Sequence, residues 1–207
     1  AVIFLASPNN PTGSAFQRSD IEEILELAPG LVVVDEAYQP FVNQGSDDFM
    51  SRLVDYPDLI VMRTLSKVGL AGIRLGLIAG HPDWMKELDK LRLPYKINSL
   101  TQATASFAID HWSVFRGQIE NICTERDRVY SALSSMQGIQ AFPSDTNFIL
   151  FRVSGNRAET IHAQLLKERI LIKCLHRPGT ALENCLRVTI GRPDENDAFL
   201  SSLNSLL

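Results

Sequence analysis

The chain has 207 residues, 45% of them hydrophobic and 21% charged, with a formal net charge of −4. Such a length and balance suit a globular enzyme of one large domain or two small ones. The acidic balance argues against a nucleic-acid or anionic-membrane partner, and no apolar run approaches the roughly 20 residues needed to cross a bilayer.

The chain opens, without an initiator Met, in the apolar run Val2-Ile3-Phe4-Leu5-Ala6. This run reads as a buried strand, and a buried strand at the first residue leads to the expectation that further sequence precedes it in the protein. A turn-rich run follows, Ser7-Pro8-Asn9-Asn10-Pro11-Thr12-Gly13. Ser19 and Glu22 have the spacing of a capping box, Ile21, Ile24, Leu25 and Ala28 recur at helical spacing, and Pro29-Gly30 stops the helix. Short apolar strands are predicted over Leu31–Val34, Leu59–Met62 and Leu75–Ala79. Strands that alternate with helices and are apolar on both faces predict a largely parallel sheet, an α/β fold.

The second half has a different pattern. Ile119, Ile122, Val129, Leu133 and Met136 keep helical spacing, with Arg126 interrupting the apolar seam. Strands are predicted over Phe148–Val153, Ile170–Lys173 and Leu186–Ile190, and helices over Arg157–Arg169 and from about Asp194, the last burying Phe199, Leu200, Leu203 and Leu207. The expected organisation is a first domain over 1–115, a linking helix over 116–136 and a small α+β domain over 137–207. Cys123, Cys174 and Cys185 form no C-x-x-C pair, and His81, His111, His162 and His176 show no H-x-H or H-E-x-x-H spacing. Free thiols in a reducing compartment are expected, and no metal site.

In open α/β sheets, ligands bind at the carboxyl ends of the strands. Three polar clusters fall there: Asn10, Asp35 to Tyr38, and Thr64 to Lys67, with Arg74 close by. A lysine by itself is more often a surface or phosphate-binding residue. Between Ser66 and Val68, and ahead of Gly69-Leu70-Ala71-Gly72, Lys67 is a candidate for covalent imine chemistry. Asp35 has three readings, a helix N-cap, a partner for a buried arginine, or a partner for a protonated heterocyclic nitrogen. Glu36 is expected on the opposite face of the strand from Asp35, which disfavours a paired-carboxylate acid/base site.

Ser7-Pro8-Asn9-Asn10-Pro11-Thr12-Gly13, Asp35-Glu36-Ala37-Tyr38, Thr64-Leu65-Ser66-Lys67 and Ala71-Gly72-Ile73-Arg74-Leu75-Gly76 stand in order along the chain. Together they resemble the motifs of the fold-type I pyridoxal-phosphate aminotransferases. With Thr146-Asn147-Phe148-Ile149 and Asn184-Cys185-Leu186-Arg187-Val188-Thr189-Ile190-Gly191, the chain is most similar to the histidinol-phosphate aminotransferases. The resemblance runs essentially the whole chain and implies part of a mostly parallel sandwich with a small α+β domain after it. It implies pyridoxal 5'-phosphate as cofactor, L-histidinol phosphate and 2-oxoglutarate as substrates, a cytoplasmic location and a homodimer. Lys67 is implied as the catalytic, cofactor-holding lysine and Asp35 as the partner of the ring nitrogen. Asn10 and Tyr38 are implied for the phenolate oxygen, and Thr64, Ser66 and Arg74 for the phosphate. Arg187, on a strand whose Leu186, Val188 and Ile190 point the other way, is implied for the substrate's anionic end, with Lys173 where the family often has a second arginine. Lys67 and Arg74 stand seven apart, one fewer than in many family members. Four alternatives stay open: an aromatic aminotransferase, a threonine-phosphate decarboxylase, the cofactor-binding sensor domain of a transcription regulator, or a non-catalytic chain that only pairs with a partner subunit.

Overall fold

The computed structural model describes residues 1–42 and 48–207, and the chain divides into two compact units. The first comprises Ala1–Asn9 and Ala15–Ile119, the second Asn10–Ser14 and Glu120–Leu207.

The first unit is built on a four-stranded sheet in the order β1 (Val2–Ala6), β2 (Leu31–Asp35), β3 (Leu59–Thr64), β4 (Gly76–Gly80). β1 with β2 and β2 with β3 are parallel, whereas β4 runs antiparallel to β3. The stretch between β3 and β4 is too short for the helical crossover that a parallel return needs, so the chain folds straight back. The helix α1 (Arg18–Leu27) covers one face of this sheet, where Ile21 packs with Val32, Val34, Leu59 and Val61 and is joined by Ile3 and Leu5. On the other face Phe4 stays 72% exposed and Ile78 44% exposed, an apolar surface that this chain leaves open.

Two expectations are corrected in this unit. Ser19 does not cap α1, because it lies inside the helix and its hydroxyl turns to Asp20. Extended Gln17 is the residue before the helix, its carbonyl accepting from the Asp20 and Ile21 N–H groups, while Glu22 is drawn to Arg18 at 2.9 Å. The strand expected from Leu75 begins at Gly76, because the Leu75 carbonyl accepts the Leu65 N–H that closes the preceding turn. Two helices not anticipated from the sequence follow: α2 (Pro82–Asp89), capped by His81, and α3 (Ser99–Asp110), capped by the Asn98 side chain.

The helix α4 (Trp112–Ser135) is continuous, and the division between the units falls within it. The second unit carries an antiparallel sheet in the order β5 (Ile139–Ala141), β6 (Phe148–Val153), β8 (Cys185–Thr189), β7 (Lys173–Cys174). Its core joins Val129 and Leu133 of α4 to Ile149, Phe151 and Val153 of β6. Ile161 and Leu165 of α5 (Ala158–Lys167) and Phe199 and Leu203 of α6 (Pro193–Leu206) complete it. Arg126, which breaks the apolar seam of α4, is only 2% exposed and donates to the Thr146 carbonyl and to Asp127.

The strand expected over Ile170–Lys173 shrinks to Lys173–Cys174. Ile170 instead donates its N–H to Leu165 O to finish α5, and the Ile172 carbonyl meets His162, so neither group is free for a ladder. Leu207, expected to be buried, is 38% exposed, since it lies past the last turn of α6 with its carbonyl held by Arg157. Among the described residues, no helix is long and apolar enough to cross a membrane.

Candidate functional site

Parallel strands end with their chemistry at one edge, and the first unit shows how the local sequence builds that edge. Asp35 is the last residue of β2, paired with Met62 of β3. Its Oδ1 accepts the Ala37 N–H at 3.0 Å, which fixes the carboxylate and leaves Oδ2 for a ligand. One oxygen of Asp35 thus closes a local turn, as a capping carboxylate does. Tyr38, three residues on and 7% exposed, lies under Lys67, whose Nζ is 5.2 Å from the ring centroid. A cation over a ring face is attracted by its quadrupole, so this contact helps hold the Lys67 side chain over the ring.

β3 ends at Thr64, and a turn over Ser66–Leu70 carries Lys67, which is half-buried. The Thr64 hydroxyl accepts the Ser66 N–H at 3.0 Å and lies 2.9 Å from the Ser66 hydroxyl and 3.1 Å from the Leu75 carbonyl. The seven-residue step from Lys67 to Arg74 includes two left-handed residues, Gly69 at φ 96° and Arg74 at φ 51°. Asp35, Thr64, Ser66 and Arg74 line one cavity of about 500 Å³ with Met62, Gly76 and Ile78. This is within the usual size range for small-molecule pockets.

On the opposite face of the same strand ends lies a group that the sequence reading left unassigned. Glu36, 2% exposed, accepts the Phe49 N–H at 2.8 Å and two bonds from Arg63, from Nε at 3.0 Å and Nη2 at 2.8 Å. Arg63 Nη2 also meets Asp48 at 2.6 Å. Burial pushes the Glu36 carboxyl above its ordinary value, against the pull of Phe49 and Arg63. At Asp48 burial acts the same way, but hydrogen bonding and attraction from Arg63 outweigh it and hold the carboxyl low. The two partners of one arginine thus move in opposite directions, which follows from Glu36 being the more deeply buried of the two. A charged pair at the end of an apolar strand was the available signal, Arg63 continuing the buried side of Leu59 and Val61.

The second unit gathers Asn10, Arg187 and Lys173. Arg187 Nη1 donates to Asn10 Oδ1, and its guanidinium carbon stands 4.7 Å from the centroid of the Phe148 ring. Arg187 Nε is buried and makes no hydrogen bond within the described residues. A buried donor without an acceptor is costly, and an arginine fork held this way is suited to an anion. Lys173 is exposed and stands directly opposite Arg187 in the β7–β8 ladder, so the strand register sets two cations side by side. Gly13 ties the Asn10–Ser14 segment to this unit: it has φ 83°, and a Cβ there would lie 2.7 Å from Ser144 Oγ. Its carbonyl accepts the Asp145 N–H at 2.7 Å. Neither the Asn10–Arg187 bond nor the Phe148 ring beneath Arg187 was anticipated from sequence, since both depend on contacts between distant segments.

Among the described residues, no cluster of His, Cys, Asp or Glu is placed to hold a metal ion. The model for aminotransferase class I and II matches residues 1–203. The chain belongs to this family. Histidinol-phosphate aminotransferase 2 of Nitrosococcus oceani is 50% identical to it, over 99% of this chain and 56% of that protein. Histidinol-phosphate aminotransferase 1 of Ralstonia nicotianae is 49% identical, over 100% of this chain and 55% of that protein. The chain therefore spans little more than half the length of these curated relatives. Among solved structures, the histidinol-phosphate aminotransferase of Clostridium acetobutylicum superposes with a TM-score of 0.91 at 25% identity, covering 99% of this chain and 63% of that one. The Sinorhizobium meliloti enzyme, solved in complex with pyridoxal-5'-phosphate, gives a TM-score of 0.88 at 27% identity, covering 99% of this chain and 57% of that one. The chain thus has the α/β fold of those aminotransferases.

Proposed function

We propose that the protein containing this chain is a pyridoxal-phosphate-dependent aminotransferase that moves the amino group of L-histidinol phosphate to 2-oxoglutarate. The observation that carries the reading is the strand-end cavity lined by Asp35, Thr64, Ser66 and Arg74, with Lys67 in the same turn as Ser66 and facing Tyr38. The donor set fits the cofactor: a carboxylate with one open oxygen for a ring nitrogen, hydroxyls and a guanidinium for a phosphate, and an amine for an aldehyde.

When bound, the cofactor supplies an electron sink for the pair left when a proton leaves the substrate Cα. The remaining steps belong to the protein. Asp35 holds the ring nitrogen protonated through its open oxygen. Thr64, Ser66 and Arg74 bind the phosphate, Arg74 through a planar fork. Tyr38 and Asn10 bond the phenolate oxygen. Lys67 Nζ would be the covalent anchor in the resting enzyme and, once released, would carry the proton between the substrate Cα and the cofactor's C4′. Arg187 binds the substrate's anionic end, and Lys173 adds charge without a fork. The same proposal includes a homodimer in the cytoplasm.

The test is a product assay on the full-length protein. L-histidinol phosphate with 2-oxoglutarate should yield glutamate in step with loss of the amino donor. Release of carbon dioxide from O-phosphothreonine, or equal turnover of an aromatic amino acid, contradicts the assignment. The first of these is a real rival, because the threonine-phosphate decarboxylase of Porphyromonas gingivalis also superposes with a TM-score of 0.87 at 26% identity.

A further inference from the structure

Asp35 and Glu36 are consecutive, so their side chains leave the backbone on opposite sides. Asp35 faces the 500 Å³ cavity, and Glu36 enters the core between the strand ends and Phe49. The backbone ladder between β2 and β3 stops there. Its last register pair is Asp35 with Met62, and its last bond runs from the Glu36 N–H to the Met62 carbonyl at 2.9 Å. Beyond it, Arg63 and Thr64 pair only with Leu77 and Gly76 of β4. The turn carrying Tyr38 continues from Glu36, whose carbonyl accepts the Gln39 N–H at 3.0 Å. The side-chain bonds from Arg63 to Glu36 therefore begin where the backbone bonds between these strands end.

We propose that Glu36 and Arg63 are positioning residues for the cofactor site, a clamp behind the strand ends that fixes the Asp35–Tyr38 turn against the Thr64–Lys67 turn. The proposal rests on the functional reading above. A buried ion pair stabilises a fold little better than a well-packed apolar pair would, because desolvation offsets the attraction. What it adds here is directional geometry: two bonds into one carboxylate oxygen and a backbone N–H into the other. Sites of this kind tolerate displacements of only about 0.5 Å. Asp48 keeps Arg63 paired when Glu36 is neutralised, so the charge of Arg63 is not abandoned in Glu36→Gln.

The experiment uses the full-length protein and reads cofactor binding as well as turnover. Glu36→Gln and Arg63→Lys are compared with Leu133→Ala, a core change in the second unit that lowers stability without touching these strand ends. All are measured at a temperature where melting curves show them folded. Glu36→Gln and Arg63→Lys should each weaken pyridoxal-phosphate binding by equilibrium dialysis about tenfold or more. Each should also move the pH midpoint of the visible absorbance of the Lys67-bound cofactor, and Leu133→Ala should change neither quantity. If Glu36→Gln does not fold, Arg63→Lys carries the comparison, since it keeps the charge and removes only the fork. Wild-type affinity and an unmoved midpoint in the folded variants overturn the clamp while leaving the functional reading intact. Failure of the wild-type protein to bind the cofactor at all overturns both.

Discussion

The two sheets of this chain place their polar chemistry in different ways. In the first unit β1, β2 and β3 are parallel and largely apolar, and the candidate polar groups stand at strand ends, where Asp35 and Thr64 are the last residues of β2 and β3. In the second unit Arg187 sits in the middle of antiparallel β8, between buried Leu186 and Val188, and uses the face that the core does not occupy. A strand end fixes a group through the turns that follow it. A mid-strand position fixes it through the ladder itself, here with Lys173 opposite. Damage to the first kind should spread through a turn to neighbouring groups, and damage to the second should stay with the one side chain.

The largest effect expected is at the strand-end turn: Lys67→Ala in the full-length protein should lower kcat by at least about a thousandfold, through loss of both anchor and proton carrier. Retention of substantial steady-state turnover contradicts its role. Arg187→Ala should cost about 2–5 kcal/mol in kcat/KM. Its cofactor absorbance should be kept, and loss of the cofactor with unchanged substrate kinetics reverses the division between the two sheets. Ile161→Val in the fully buried core of the second unit should lower stability by about 0.5–1.5 kcal/mol and leave cofactor affinity untouched. A change in affinity there shows that the comparison is too sharp.

The smallest effect is a pH dependence located in the first unit. Glu36 has its carboxyl raised by burial, so the folded state holds its proton more tightly than the unfolded one. Its contribution is therefore fullest below the ordinary value of 4.5 and is lost as pH rises through the raised value. The melting-temperature gap between wild type and Glu36→Gln should narrow as pH rises from about 4.5. Asp48 acts in the other direction: its stabilising contribution is present above 3.8 and is lost as pH falls through its lowered value.

The sequence was most legible where local pattern and motif coincide. β6 is found at Phe148–Val153 as predicted, and apolar Leu31–Val34 and Leu59–Met62 each carry a polar residue at the end where a parallel sheet exposes it. It was least legible where a distant partner decides. Asn10 meets Arg187 across the sequence, Gly13 packs on Ser144, and Arg63 reaches Glu36 from the next strand. Ser19 and Glu22 have the spacing of a cap, but Arg18 offers Glu22 a charged partner, and the local rule gives way. Ile170–Ile172 has a strand's composition but its polar backbone is spent on ending α5. No period in the sequence reports such competition for hydrogen bonds.

The central claim is that the turn after β3 presents Lys67 as the cofactor's covalent partner. It is tested by reducing the full-length protein with borohydride in the presence of pyridoxal phosphate and mapping the modified peptide. A single pyridoxyl group on Lys67 is the predicted result. An adduct on Lys90 or Lys96, with Lys67 unmodified, contradicts it.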